Sequence, residues 1–505
     1  MLQALRQALR LPALSPQSGR LLIGLFLCIK LALSLWNACE FDGKVYDQGH
    51  HQDRALFGGL RPGKLSYDPP LYYLPALLVH RPADVPLVER NMRNVGGEDE
   101  AIASREAALS PPGPHEVTHK AKQIQLLRYT NVFYAFVTYV GWICFAYPRL
   151  LRGFRGWFLA SLLLLCVPGY QKLGAMVHPD NAFTCLVTVG VCVWLAVRER
   201  FAAGKLTFLQ LVGFAIAVGS IGLTRPFSIM PVAVLTATLL VYLVRLEGFR
   251  WSRLLVRGGA LLAIVVVLSS SWYVYRWRSS GHITNAYRDG YMEKFEKRKV
   301  GFSFVEYFTT FHAQELLEVP NRKMAGGTTS AYSNTPHANS FFTILYSEVW
   351  GDHWLYFSGL PTREGKLWPK RTLLAAALLT PPIVLLLGAG FFWDLGRRSR
   401  QSLGESRAQK LRARLTTLLA QVELDLVLLG LVGSGVLLYL YWQTGPGLLP
   451  GKHSTIKFIY VANLVAPTLA LLFKRRLQPL SFNLLSCYFL LLFVVALPAA
   501  MFWPS

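Results

Sequence analysis

The sequence predicts an all-α integral membrane protein of about eleven transmembrane helices, with interfacial helices in two long outer loops. Three observations predict it. Apolar residues make up 53% of the 505 positions and charged residues only 16%, too apolar a balance for a soluble chain of this length. The apolar residues come in blocks of roughly 17 to 25, long enough for a helix to cross a hydrocarbon core. Basic residues gather in the connections between alternate blocks, the asymmetry that sets orientation in a membrane.

The elements follow in order. Residues 1–20 carry Arg6, Arg10 and Arg20 and read as a cytoplasmic segment. Apolar blocks then lie near 21–39, 128–148, 156–172, 182–197, 206–223, 227–244, 255–276, 371–393, 420–442, 456–473 and 480–502. Arg149, Arg152 and Arg155 fill one connection, Arg198, Arg200 and Lys205 another, and Arg245, Arg250, Arg253 and Arg257 a third. A set from Arg397 to Arg414, and then Lys474, Arg475 and Arg476, complete the series. The amino end is therefore expected inside and, with an odd number of spans, the carboxyl end outside. Most of the net charge of +24 is accounted for by this orientation-setting role. That argues against a nucleic-acid partner and for membrane lipids.

This topology places two long segments outside and divides the chain into four parts. They are the N-terminal segment 1–20, a transmembrane module 21–276 that includes the outer loop 40–127, a second outer loop 277–370, and a C-terminal transmembrane module 371–505. The block PPLYYLPALLVH (69–80) is too short to span and is interrupted by Pro75. It is expected at the outer interface, with Tyr72 and Tyr73 among the head groups. Residues 82–120, with PPGPH at 111–115, read as polar loop. No removable signal peptide is evident, because the first block starts late and lacks a small-residue cleavage site. Six of the seven cysteines lie in apolar blocks and Cys39 at a span's outer end, which predicts neither a disulfide framework nor a cysteine metal site. The absence of an N-x-S/T acceptor fits a bacterial setting.

The polar residues expected on the outer side form a pattern. Loop one offers Asp42, Asp47, His50, His51, Asp53 and Asp68; the next outer turns offer His178 and Asp180, then Arg225; the last offers Lys452, His453 and Lys457. Carboxylates, imidazoles and cations on one face suit a reaction on a lipid-linked phosphate, in which cations hold the phosphate and a carboxylate accepts a proton.

Several stretches carry a family resemblance: VYDQGHH with Asp47, SYDPPLYYL with Asp68, LLRYTNVF, HPDNAF with Asp180, SFFTILYSEVWGDHWLYF (340–357) and STIKFIYVANLVAPTLAL. In this order they resemble the polytopic GT-C glycosyltransferases that use polyprenyl-phosphate sugars. The likeness is to the branch of protein O-mannosyltransferases and the lipid A aminoarabinose transferase. Many relatives carry Asp-Glu where this chain has Asp47-Gln48, and it lacks the large soluble domain of some of them. The resemblance implies a GT-C fold, with 21–276 as the catalytic module. It implies transfer of a sugar from a polyprenyl-phosphate donor to a lipid, glycan or protein acceptor, with inversion, on the outer face of a bacterial cytoplasmic membrane. Asp47 would be the general base, with Asp180 supporting the acceptor or the base. Some relatives hold a divalent metal ion at the position of Asp68 with a histidine from a later loop, a part open here to His282 or His337. Arg225, Lys452 and Lys457 are candidates to face the donor phosphate.

Plainer readings stand beside these. Asp47 is also an ordinary loop carboxylate, and Asp68 before Pro69 a turn initiator. Asp180 also reads as a helix cap, Arg225 as an interfacial anchor, and Lys452 and Lys457 as snorkelling side chains. His50 and His51 read better as surface imidazoles than as a ligand motif, and 341–357 as interfacial packing. Glu423 and Asp425 read as a solvated helix start. The rival class is a transporter or flippase for a lipid-linked substrate, which calls for midplane charge, broken helices and repeats. The span interiors read as almost free of charge, and no repeat is found.

Overall fold

The structure, a computed structural model, describes residues 15–40, 70–72, 114–151, 153–175, 178–225, 228–248, 250–280, 309–311, 345, 349, 423–437, 461–474 and 479–499. Among them there is no strand. The helices are α1 (Pro16–Glu40), α2 (Pro114–Val140), which continues through a π-helical turn (Gly141–Ala146) into α3 (Tyr147–Leu150), α4 (Phe154–Cys166) and α5 (Pro168–Ala175). Then come α6 (Pro179–Ala202), α7 (Phe208–Gly222), α8 (Ile229–Glu247), α9 (Trp251–Ser280), α10 (423–437), α11 (Ala462–Phe473) and α12 (Pro479–Ala499). Ten of the expected apolar blocks overlap these helices; 371–393 lies outside the described residues. Four helices, α1, α6, α8 and α9, are long and apolar enough to cross a membrane, while α4, α7, α11 and the middle of α12 are shorter apolar helices.

Local chemistry sets the boundaries. Ser15 caps α1, its hydroxyl accepting from the Ser18 amide at 3.0 Å, and Pro16 takes the first turn, where its missing N–H is no loss. Thr207 and Gln210 form a reciprocal capping box that starts α7. The expected continuous span 156–172 is in fact two helices. Val167, forced extended by the proline that follows, breaks it with ψ 112° between α4 and α5. A second correction concerns 114–127, expected as outer loop: helix α2 already begins at Pro114.

Burial sorts the helices into centre and rim. Helix α4 is buried from Phe158 to Cys166 on every side, as a run of LASLLLL demands. It packs against α12, α11 and α1, and α6 packs against α2, α7, α8 and α11. Helix α9 is the opposite case, exposing Trp251, Leu255, Val256, Val266, Val267 and Trp277. A belt of exposed apolar side chains that large belongs against lipid.

Helices α7 and α9 approach closely because α7 presents glycines. A Cβ at Gly222 would meet the Ser269 Cβ at 2.3 Å and its Cα at 2.5 Å, and one at Gly219 would meet Leu268 Cβ at 2.8 Å. Gly222→Ala is therefore expected to lower stability by about 1–3 kcal/mol through overpacking. Gly213→Ala, whose Cβ meets nothing within 4 Å, leaves stability unchanged or raises it. Thermal unfolding in detergent checks the pair, and equal melting temperatures would contradict the close approach.

Among the described residues, four ion pairs lie at one end of the bundle. Arg149 meets Glu199 at 2.9 Å, Arg245 meets Glu423 at 2.6 Å, Arg257 binds Glu247, and Lys474 meets Asp425 at 2.5 Å. Tyr242 also donates to Glu423. Glu423 and Asp425 thus correct the expectation of a solvated helix start: both are partners of basic residues on other helices. Among the described residues, Arg198, Arg200 and Lys205 after α6 and Arg250, Arg253 and Arg257 around the start of α9 belong to this end.

Candidate functional site

The opposite end of the bundle holds a buried polar cluster. Helix α6 opens on His178-Pro179-Asp180-Asn181, with His178 extended at the cap and Pro179 preset for the first turn. A carboxylate suits this position, where the helix macrodipole is positive. Helix α7 ends at Gly222, and the chain turns through Thr224 and Arg225 into α8, held by Thr224 Oγ1 donating to the Ile221 carbonyl at 2.6 Å and by Ser228 N donating to the Arg225 carbonyl at 3.1 Å. These two helix ends bring Arg225 onto Asp180. Its Nε donates to Oδ1 and its Nη2 to Oδ2, each at 2.7 Å, a two-pronged pair. Asp180 is 2% exposed and Arg225 8%.

His178 completes the group. Its Nδ1 lies 2.8 Å from Asp180 Oδ2 and 3.4 Å from the Asp180 amide. One nitrogen cannot donate to the first and accept from the second. The shorter contact to a carboxylate oxygen fixes the proton on Nδ1, so His178 donates to Asp180.

The next residue, Asn181, starts a neutral network. Asn181 Nδ2 donates to the Asn131 carbonyl at 2.6 Å. Asn131 Nδ2 in turn donates to the Tyr72 hydroxyl at 2.7 Å and to the Leu127 carbonyl at 2.9 Å. Tyr72 lies in a 3-10 turn (Pro70–Tyr72) and is fully buried. This corrects its expected place among head groups: Tyr72 is an internal side chain, packed near Tyr134 with ring centroids 6.3 Å apart. Nearby, Gln125 donates to the Ala38 carbonyl at 3.2 Å, tying the C-terminal end of α1 to α2.

The arrangement therefore joins two site residues expected separately, Asp180 and Arg225. Both Asp180 oxygens are taken by cationic or N–H donors, so this carboxylate is built to hold Arg225 and His178. Such a donor set does not suit a divalent cation, and among the described residues no group of three or more His, Cys, Asp or Glu gathers. Asp47, Asp68, His50, His51, His282, His337, Lys452 and Lys457 lie outside the described residues. Asn131, Asn181 and Tyr72 were missed as site residues. The legible signal was an asparagine inside the block 128–148 and another immediately before the block 182–197, costly residues there unless they are bonded.

The chain is a helical membrane protein. No family model, curated protein or solved structure matches it.

Proposed function

We propose that the chain is a polytopic glycosyltransferase of GT-C type, with about eleven spans and its amino end inside. It would move a sugar from a polyprenyl-phosphate donor to a lipid, glycan or protein acceptor on the outer face of a bacterial cytoplasmic membrane. One observation carries the reading. Four outer stretches, PPLYY, LLRYTNVF, HPDNAF and the LTRPFS turn, meet at one end of the bundle through Tyr72, Asn131, Asn181, Asp180 and Arg225. The first three carry the resemblance to that family.

In this mechanism Asp47 takes the proton of an acceptor hydroxyl, whose oxygen attacks the anomeric carbon of the donor. The bond from that carbon to the phosphate oxygen breaks, polyprenyl phosphate leaves, and the configuration inverts. Arg225, Lys452 and Lys457 supply positive charge toward the phosphate, with Asp180 fixing Arg225 in place. A divalent ion at Asp68 would add charge at the same face.

A transporter or flippase is the second reading, and Lys30 favours it. This lysine lies in the middle of α1 and is 1% exposed, so the expectation of nearly charge-free span interiors fails there, and the break between α4 and α5 adds an interrupted helix. Purified protein in liposomes, offered a panel of radiolabelled polyprenyl-phosphate sugars and acceptor lipids, separates the two. Sugar transfer is the expected outcome. Donor crossing the bilayer with no sugar transferred would replace the transferase with a flippase.

A further inference from the structure

The end of the bundle with the four ion pairs holds more cations than its carboxylates can satisfy. Among the described residues those carboxylates are Glu199, Glu247, Glu423 and Asp425. Each already has a basic partner, in turn Arg149, Arg257, Arg245 and Lys474. Arg200, Lys205, Arg250 and Arg253 are exposed and pair with none of the four. Two of them stand at the start of α9, where the Arg250 carbonyl accepts from the Leu254 amide at 3.0 Å. Helix stability does not account for them. Cations there oppose the helix macrodipole, and α9 has no acidic residue in its first turn.

The same turns of α9 carry its most exposed large apolar side chains, Trp251 at 70%, Leu255 at 73% and Val256 at 74%. Arg253 and Val256, three residues apart, are neighbours on the helix surface. The exposed apolar strip runs on to Val266 and Val267. From Trp251 that is about 24 Å at the rise of an α-helix, more than the roughly 15 Å of hydrocarbon in one leaflet. Helix α9 is also the least buried of the four long apolar helices. The Arg257 guanidinium lies 5.0 Å from the Phe208 ring centre and brings the start of α7 alongside. Lys205 and Leu209, on either side of Phe208, are exposed there too.

Charge and shape together identify the occupant. A second copy docked here in the same membrane orientation would bring its own Arg250 and Arg253 up to these, like charges with no carboxylate between them. An acidic soluble protein would answer the cations but leave the long apolar strip uncovered. A phospholipid of net negative charge meets both. We propose that the start of α9 is a docking surface for anionic phospholipid. Arg250 and Arg253 hold the headgroup phosphate, and the acyl chains lie along Leu255, Val256 and the strip beyond, with Trp251 at the boundary. A zwitterionic lipid offers the same phosphate but sets its own cation beside the arginines, so the surface selects for net negative charge. This inference rests on the helical membrane fold and not on sugar transfer.

The test uses the full chain in a neutral maltoside detergent, titrated with phosphatidylglycerol and separately with phosphatidylcholine of the same acyl chains. Unfolding is followed by tryptophan fluorescence. The expected result is a larger rise in melting temperature with phosphatidylglycerol. Arg250→Gln combined with Arg253→Gln loses about 25-fold in apparent affinity for that lipid, near fivefold for each basic side chain beside an anionic surface. Without lipid the double variant melts as the native chain does, and Arg250→Lys with Arg253→Lys keeps most of the response. Arg20→Gln removes an exposed cation near the start of α1 and leaves the response at the native level. Equal responses to the two lipids, or an undiminished response in the double glutamine variant, overturn the surface. A loss as large in Arg20→Gln as in Arg253→Gln alone also overturns it, because the effect is then one of net charge. Light scattering that finds two copies, separated by Leu255→Gln, gives the face to a second copy instead. None of these readouts depends on turnover, so failure here and failure of the transferase reading are separate results.

Discussion

Arg225→Met is expected to destabilise the protein by about 3–5 kcal/mol, the scale for leaving one member of a buried ion pair without its partner. Asp180 would then keep His178 as a donor but lose two hydrogen bonds of 2.7 Å in a site only 2% exposed. Asp180→Asn should cost a similar amount, because it takes the buried counter-charge away from the guanidinium. Asp180→Leu combined with Arg225→Met should recover much of the loss, since apolar groups of like volume often replace a buried pair without penalty. Glu199→Gln at the other end is the contrast. Its partner is Arg149 at 2.9 Å, but the Glu199 side chain is 51% exposed, and an exposed pair is worth no more than about 1 kcal/mol. Unfolding free energies in detergent for these variants check the argument. Similar small losses at both ends would mean that water reaches Asp180.

That contrast also explains the chemistry of the cluster. A carboxylate meant to accept a proton from a substrate needs an oxygen free to take it. Asp180 has given both of its oxygens to Arg225 and His178. It ties the start of α6 to the turn that joins α7 to α8. The Asn181–Asn131–Tyr72 chain extends that tie to α2 and to the Pro70–Tyr72 turn.

The helices were legible because hydropathy in a window of about twenty residues reports burial in lipid directly. What the window averages away was not. A single lysine in the apolar block 21–39 barely moves the mean, so Lys30 passed unnoticed although it is buried. The first turns of α2, HEVTHKAKQIQ, carry no apolar period, and only the tertiary structure shows them helical. Pro168 was visible, yet one proline in a long apolar run does not say whether the helix bends or breaks; Val167 shows that it breaks. Asp180 and Arg225 were each legible as polar residues at span ends. Their pairing across 45 residues was not, because sequence assigns an arginine a sign of charge but no partner.

Asp47→Asn is expected to reduce sugar transfer by about 10²- to 10⁴-fold, the contribution of a positioned general base, while leaving the melting temperature unchanged. With the Asp180 carboxylate engaged twice over, the proton of the acceptor hydroxyl needs another oxygen, and Asp47 is the acidic residue that the resemblance places at the base. Asparagine keeps the size of the side chain and a hydrogen-bond acceptor but removes the basicity, so donor binding should survive. Asp180→Asn must behave differently, lowering melting temperature and turnover together. Measuring both quantities for both variants separates chemistry from framework. Full turnover in Asp47→Asn would remove Asp47 from the mechanism. Turnover lost in Asp180→Asn at unchanged stability would return the base to Asp180, and would require Arg225 to release it during the reaction.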